Sequence, residues 1–201
     1  MFNEALTIKT VVSKLLKIGP VIVVDDASSD GSGEIARKAG AILLSNGSNK
    51  GYDKSLKIGI QEANRLGYLF VVTSDGDGQI PSNEVNKAAE FLFSGADLVV
   101  GIREHKQRFA EVLFGIFAKF LWQVPDPLCG LKGYRLSCLQ KNKRFGNYDS
   151  VGTELAIKML KNGANVINFP IKILPRNDKP RFGNGLAANI KILVALFNAI
   201  G

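Results

Sequence analysis

Apolar positions along the chain follow two alternating patterns, short continuous runs and stripes spaced every three to four residues. Residues 4–17 place Ala5, Leu6, Ile8, Val11, Val12, Leu15 and Leu16 at near-helical spacing behind Asn3, which has the chemistry of an N-cap, and Gly19-Pro20 closes that helix. Residues 21–24 are a continuous apolar run, as expected of a buried parallel strand. A polar turn at 27–32 then leads into a helix over about 33–39. The alternation continues with a strand at 41–44, a helix at 53–65, a strand at 69–73 taken as central, a helix from Pro81 to Phe93, and a strand at 97–101 ending at Arg103. Farther on, 109–122 reads as a helix broken by Pro125-Asp126-Pro127, 131–134 as a short strand, and 153–161 as a helix starting near Glu154. Residues 166–174 read as a strand whose Pro170 places it at a sheet edge, 176–185 as a basic loop and 186–200 as a last helix. This order predicts an α/β fold, Rossmann-like, with a mainly parallel sheet flanked by helices.

The strand at 69–73 runs into Ser74-Asp75-Gly76-Asp77-Gly78-Gln79, and the strand at 21–24 into Asp25-Asp26. Parallel strands deliver side chains to the carboxyl edge of the sheet, where ligands bind. Asp75 and Asp77, with Gly76 between them, can offer two hard oxygen ligands to one divalent ion, and a solvated Asp-Gly turn is the plainer alternative.

Charge narrows the choice of partner. The chain of 201 residues is 46% hydrophobic, enough for one sizeable core, and carries 26 Lys and Arg against 18 Asp and Glu, a net charge of +8. That balance favours anionic partners: nucleic acid, anionic lipid or phosphorylated substrates. Cys129 and Cys138 stand in no metal-binding spacing, so a reduced interior is expected. Met1 leads at once into Asn3-Glu4 rather than a basic and then apolar leader, which predicts an intracellular protein. The apolar windows at 112–124 and 186–200 fall short of the roughly 20 residues of a spanning helix and suit amphipathic helices, packed on the core or on a membrane.

Taken together, residues 23–32 (Val-Val-Asp-Asp-Ala-Ser-Ser-Asp-Gly-Ser) and 74–81 (Ser-Asp-Gly-Asp-Gly-Gln-Ile-Pro) resemble the two signature blocks of family-2 glycosyltransferases with the GT-A fold. Asn3-Glu4 is similar to the end of that family's opening block, Gly51-Tyr52-Asp53-Lys54-Ser55-Leu56 to its Gly-x-Gly-x-Ala segment, and Gly101-Ile102-Arg103 to its Gly-Ser-Arg. Residues 126–135 (Asp-Pro-Leu-Cys-Gly-Leu-Lys-Gly-Tyr-Arg) resemble a block of the polyprenyl-phosphate sugar transferases, such as the dolichyl-phosphate mannosyltransferases, and Glu154 and residues 170–176 follow in order.

The resemblance implies one GT-A catalytic domain over 1–201, with about 1–103 as the donor half and about 104–201 as the acceptor half. It implies a metal-dependent, inverting hexosyltransferase that moves a sugar from a UDP- or GDP-linked donor to a polyprenyl or dolichyl phosphate, or to another membrane-linked acceptor. The cofactor would be Mg²⁺ or Mn²⁺ at Asp75, Asp77 and Gln79. The donor would be held by Glu4, Asp25, Asp26, Asp30, Lys54 and Asp75, with Arg108 and Arg135 also binding substrate. Arg103 and Arg176 would position an acceptor phosphate, with Lys132, Lys179 and Arg181 adding to an anion-attracting surface, whereas a hydroxyl acceptor would need Asp126 or Glu154 as base. Nucleic acid is not an expected partner, and the cytoplasmic face of a membrane is the expected location. Two departures stand out: the family's apolar strand before Asn-Glu is not seen, and Arg181-Phe-Gly-Asn-Gly185 replaces a common Gly-x-Ser-Lys. The alternatives are a glycosyltransferase acting on hydroxyl groups, a nucleotidyltransferase, a non-catalytic nucleotide-binding remnant, and a magnesium-binding receiver domain, which leaves the second half of the chain without a place.

Overall fold

The computed structural model describes residues 1–104, 109–140 and 151–175. Helices and strands alternate in it as α1 (Ile8–Leu15), β1 (Ile22–Asp25), α2 (Ser32–Lys38), β2 (Ile42–Ser45), α3 (Tyr52–Arg65), β3 (Phe70–Thr73), α4 (Ser82–Phe93), β4 (Leu98–Arg103), α5 (Phe109–Trp122), β5 (Lys132–Arg135), α6 (Leu136–Gln140), α7 (Val151–Lys161) and β6 (Val166–Ile171). The α/β reading of the sequence holds, α6 is an addition to it, and the loop and helix expected over 176–200 lie outside the described residues.

The first helix is shorter than its apolar stripe because the residues before it are used elsewhere. Asn3 does not cap it: its backbone is left-handed (φ 53°), a conformation asparagine tolerates, and its side-chain oxygen accepts the Ser29 N–H. From Ile8 onward the helix buries Ile8 and Val12 against Val23 of β1 and Ala36 of α2.

Among the described residues the strands form two sheets. β1 and β2 pair in parallel, with Val23 opposite Leu43, and the other sheet runs β3-β5-β4-β6. β6 lies at its edge, parallel to β4, where Pro170 is tolerated because one side of the strand needs no ladder bonds. β5 enters antiparallel between β3 and β4, so β3 borders its sheet rather than occupying the centre, and the sheet is mixed. One consequence reaches the site. Because β5 runs backwards, its first residue, Lys132, lies opposite Thr73 and Val100 near the carboxyl ends of β3 and β4, while its last, Arg135, lies opposite Phe70.

Alternation along β4 splits the core between two faces. Leu98 and Val100 join Tyr134, Ile60 of α3, and Leu155 and Met159 of α7 on one face. Val99 joins Val85, Ala88 and Leu92 of α4 on the other, with Phe169 and Ile171 of β6. Gly133 lets α4 approach this closely, since a Cβ there would come within 2.8 Å of Leu92 Cδ1. Each large side chain buried in this way contributes about 1.5–3 kcal/mol.

Candidate active site

The carboxyl ends of β3 and β4, with the turn that leads into β5, enclose a pocket of about 100 Å³ lined by Asp75, Gln79, Arg103, Cys129 and Gly130, among others. Thr73 Oγ1 donates to Gly130 O (2.8 Å) and accepts the Lys132 N–H (3.2 Å), which fixes that turn against the end of β3. Gly130 is required there: a Cβ would stand within 2.8 Å of the Asp75 carboxyl carbon. Among the described residues none donates a hydrogen bond to Asp75. Burial and the neighbouring Asp77 raise its pKa, against the pull of Lys132 and Arg103. Asp77 accepts the Gln79 N–H (3.0 Å). Gln79 Nε2 donates to Leu174 O (3.2 Å) and the Leu174 N–H donates to Gln79 O (2.8 Å), so the loop after β3 is strapped to the segment after β6.

The expected donor carboxylates lie on the other side of this loop. Met1 stands between β1 and the loop: its carbonyl accepts the Asp26 N–H (2.9 Å), Gly76 packs against its side chain, and Asp25, Asp26, Asp75 and Glu4 are the charged neighbours of its amino group. Thr7 Oγ1 donates to Gly76 O (2.8 Å). Within this group Asp26 is saturated. It is 4% exposed and accepts from Lys50 N–H, Gly51 N–H and Asn46 Nδ2, each at 2.8 Å. Burial works to raise its pKa, but those hydrogen bonds hold it below the usual carboxylate value. Asp25 accepts only the Ser28 N–H among the described donors (3.1 Å). Asp30 accepts the Ala5 N–H (3.0 Å) and the backbone and hydroxyl of Ser32, and thus ties residues 3–5 to the start of α2. The Glu4 N–H donates to Ser32 Oγ (2.7 Å), and Glu4 itself is buried.

Arg103, the last residue of β4, is fully committed. Its Nε and Nη2 donate to the two oxygens of Asp126 (2.8 and 2.9 Å), its N–H donates to Asp126 Oδ2 (3.1 Å), and Nη2 lies 3.2 Å from Glu111 Oε2. Burial disfavours the guanidinium charge, yet Asp126 and Glu111 raise its pKa. Asp126, 1% exposed, is therefore an anchor for Arg103 and not a free base in this arrangement. Lys132 is buried as well, at 3% exposure, with Nζ donating to Cys129 O (2.6 Å); burial lowers its pKa against the opposing charges of Asp126 and Asp75.

Arg135 is not part of this group. It donates to the carbonyls of Leu92 and Ala96 at the end of α4 and pairs with Asp97, at the far end of β5, because that strand runs antiparallel. Lys54 lies exposed on the first turn of α3 and makes no hydrogen bond or ion pair with the carboxylates among the described residues. Thr153 Oγ1 donates to Pro127 O (3.1 Å) and brings the start of α7, where Glu154 lies, beside the Asp126 turn. Arg108, Arg176, Lys179 and Arg181 lie outside the described residues. Gly130 is the first glycine of the 126–135 block, and the structure supplies its reason; Glu111 is an addition that the motifs did not reveal. Glu111 carried a signal, as the one acid in a largely apolar helix, which must find a partner when buried.

Among the described residues no three or more His, Cys, Asp or Glu side chains gather as a metal site. The pair Asp75 and Asp77 fits a hard divalent cation that takes its remaining ligands from water and phosphate oxygens. Burial and the charge of Asp77, which together disfavour an ionised Asp75, are what such a cation would offset.

The architecture is that of the GT-A glycosyltransferases. Glucosyl-3-phosphoglycerate synthase from Mycobacterium tuberculosis, solved with Mn²⁺, UDP and phosphoglyceric acid, superposes with a TM-score of 0.76 over 100% of this chain and 76% of that one, at 19% identity. Residues 1–111 match glycosyl transferase family 2, and the chain belongs to that family. It is a glycosyltransferase, and the resemblance read from its motifs is borne out. Among its relatives, the protein MJ1222 of Methanocaldococcus jannaschii is 29% identical over 97% of this chain and 87% of its own length. The dolichyl-phosphate hexose transferase of Haloferax volcanii is 27% identical over 96% of this chain and 89% of its own.

Proposed function

We propose that this glycosyltransferase moves a hexose from a UDP- or GDP-linked donor to a polyprenyl or dolichyl phosphate at the cytoplasmic face of a membrane. The observation that carries the reading is Asp75: a half-buried carboxylate beside Asp77, lacking a hydrogen-bond donor among the described residues, at the carboxyl edge of the sheet. A divalent cation held by Asp75 and Asp77, with Gln79 beside them, would supply the positive charge that stabilises a departing nucleoside diphosphate. Asp25 has acceptor capacity left for ribose hydroxyls or base N–H groups, whereas Asp26 shapes the turn at 50–51 that borders them.

The acceptor chemistry follows from the same residues. A phosphate monoester is ionised at neutral pH and attacks the anomeric carbon without giving up a proton, so no base is needed and a single displacement inverts that carbon. Asp126, locked to Arg103, suits this economy of roles, and Glu154 would be the base for a hydroxyl acceptor. The name of the dolichyl-phosphate relative supports the lipid acceptor.

The test is label transfer. The protein is incubated with labelled UDP-glucose or GDP-mannose, Mn²⁺ and a polyprenyl phosphate, and the organic phase is counted. Label entering the lipid from one donor is the expected result. Label moving only to a water-soluble hydroxyl acceptor such as phosphoglycerate would overturn the acceptor assignment.

A further inference from the structure

Lys132 is a charged side chain buried beneath the pocket, not one spread on an anion-attracting surface. It is 3% exposed, and its amino group makes one hydrogen bond, from Nζ to Cys129 O (2.6 Å). Of the three N–H groups of an ammonium, the other two find no acceptor among the described residues. A buried cation with so few hydrogen bonds is costly unless an opposite charge compensates it.

The direction of β5 decides which charge that is. As the first residue of an antiparallel strand, Lys132 lies opposite Thr73, two residues before Asp75. The turn before β5 then folds back onto its amino group. The Cys129 N–H donates to Asp126 O (3.2 Å), Nζ holds the Cys129 carbonyl, and Gly130 packs against the Asp75 carboxyl. The Cys129–Gly130 peptide thus meets the ammonium at its carbonyl and the carboxyl group at its glycine.

The neighbouring cation is already engaged, since Arg103 is held by Asp126 and Glu111. Burial and then Asp77 raise the pKa of Asp75, and Lys132 opposes them more strongly than Arg103 does. It acts across the turn, through the field and not through a hydrogen bond, and such a field is strong where water is excluded.

We propose that Lys132 is the resident counter-ion of Asp75: it balances the aspartate in the metal-free protein, and it repels a bound divalent cation while attracting the diphosphate of the nucleotide. The cation is then held weakly on its own and firmly together with the nucleotide, so that the two leave together after the sugar has gone. Lys132 touches no reacting atom and is a positioning residue. Its pairing with Asp75 stands on the geometry of the turn; its effect on the cation and diphosphate rests on the function proposed above.

Two measurements test this, and neither is activity. In a cycle of metal-free melts, Lys132→Met is expected to lower Tm about 2–4 °C more in the unaltered background than beside Asp75→Asn, because only the first loses the pairing. Mn²⁺ binding is followed by electron paramagnetic resonance of the free ion, and binding of UDP and of GDP at saturating Mn²⁺ by calorimetry. Lys132→Met should bind Mn²⁺ alone about tenfold more tightly and the nucleoside diphosphate about tenfold more weakly. Lys132→Gln keeps a donor for Cys129 O but no charge, and it should repeat both shifts. A side chain that only fixes the turn would weaken both ligands in Lys132→Met and be rescued in Lys132→Gln; that pattern, or additive melts, would overturn the proposal. Coupled melts in a protein that takes no Mn²⁺ support the pairing and overturn the metal assignment instead.

Discussion

Two acidic strand ends of similar sequence have opposite electrostatics. At the end of β1, Asp26 is surrounded by donors, and three hydrogen bonds outweigh the cost of burial to hold its pKa down. Beyond β3, Asp75 meets burial with the charge of Asp77 at its side and no donor among the described residues, and its pKa is raised. Burial acts on both in the same sense, so the neighbours decide. Asp26 spends its lone pairs on the backbone at 50–51 and on Asn46, whereas those of Asp75 meet no donor among the described residues and, in the function proposed above, are open to a cation.

The comparison breaks first at Asp75. Asp75→Asn is expected to cut transfer about a hundredfold or more, since it removes charge stabilisation worth several kcal/mol at the leaving group, without lowering stability. A raised folded-state pKa means that the charged form is disfavoured by folding, so neutralising it relieves repulsion rather than breaking a bond. Transfer assays beside denaturant melts check this; a destabilised but active variant would invert the assignment.

A smaller effect is expected at Asp26, where Asn keeps the shape but loses an acceptor, costing about 1–3 kcal/mol of stability. The sign of its pH dependence is opposite to that of Asp75. A folded pKa held below the unfolded value gives stability that is present above the unfolded value and lost as pH falls through the folded one. Melts between about pH 6 and pH 3 should therefore show a shallower acid loss in Asp26→Asn than in the unaltered protein. Equal slopes would remove Asp26 as an electrostatic anchor.

The residues that were legible in the sequence share one property: their roles are local. Runs such as 21–24 and 69–73 announce buried strands through composition alone, and the acids that follow them must emerge at the carboxyl edge. β5 was legible as a strand but not in its direction, because Lys-Gly-Tyr-Arg carries no pattern that names its partners. That single non-local fact moved Arg135 away from the pocket and put Lys132 beneath it. Asp126 stood out in its motif, but its bidentate pairing with Arg103 depends on a contact across 23 positions. Asn3 has a capping side chain by type, yet the loop at 28–29 captures it first.

The central claim is that Asp75 and Asp77, with a divalent cation, hold the diphosphate of a nucleotide-sugar. Calorimetric titration with UDP and with GDP, each with and without Mn²⁺, tests it most directly. Binding of one nucleotide that requires Mn²⁺ and disappears in Asp75→Asn is the expected result. Binding that is indifferent to Mn²⁺, or that survives Asp75→Asn unchanged, would contradict it.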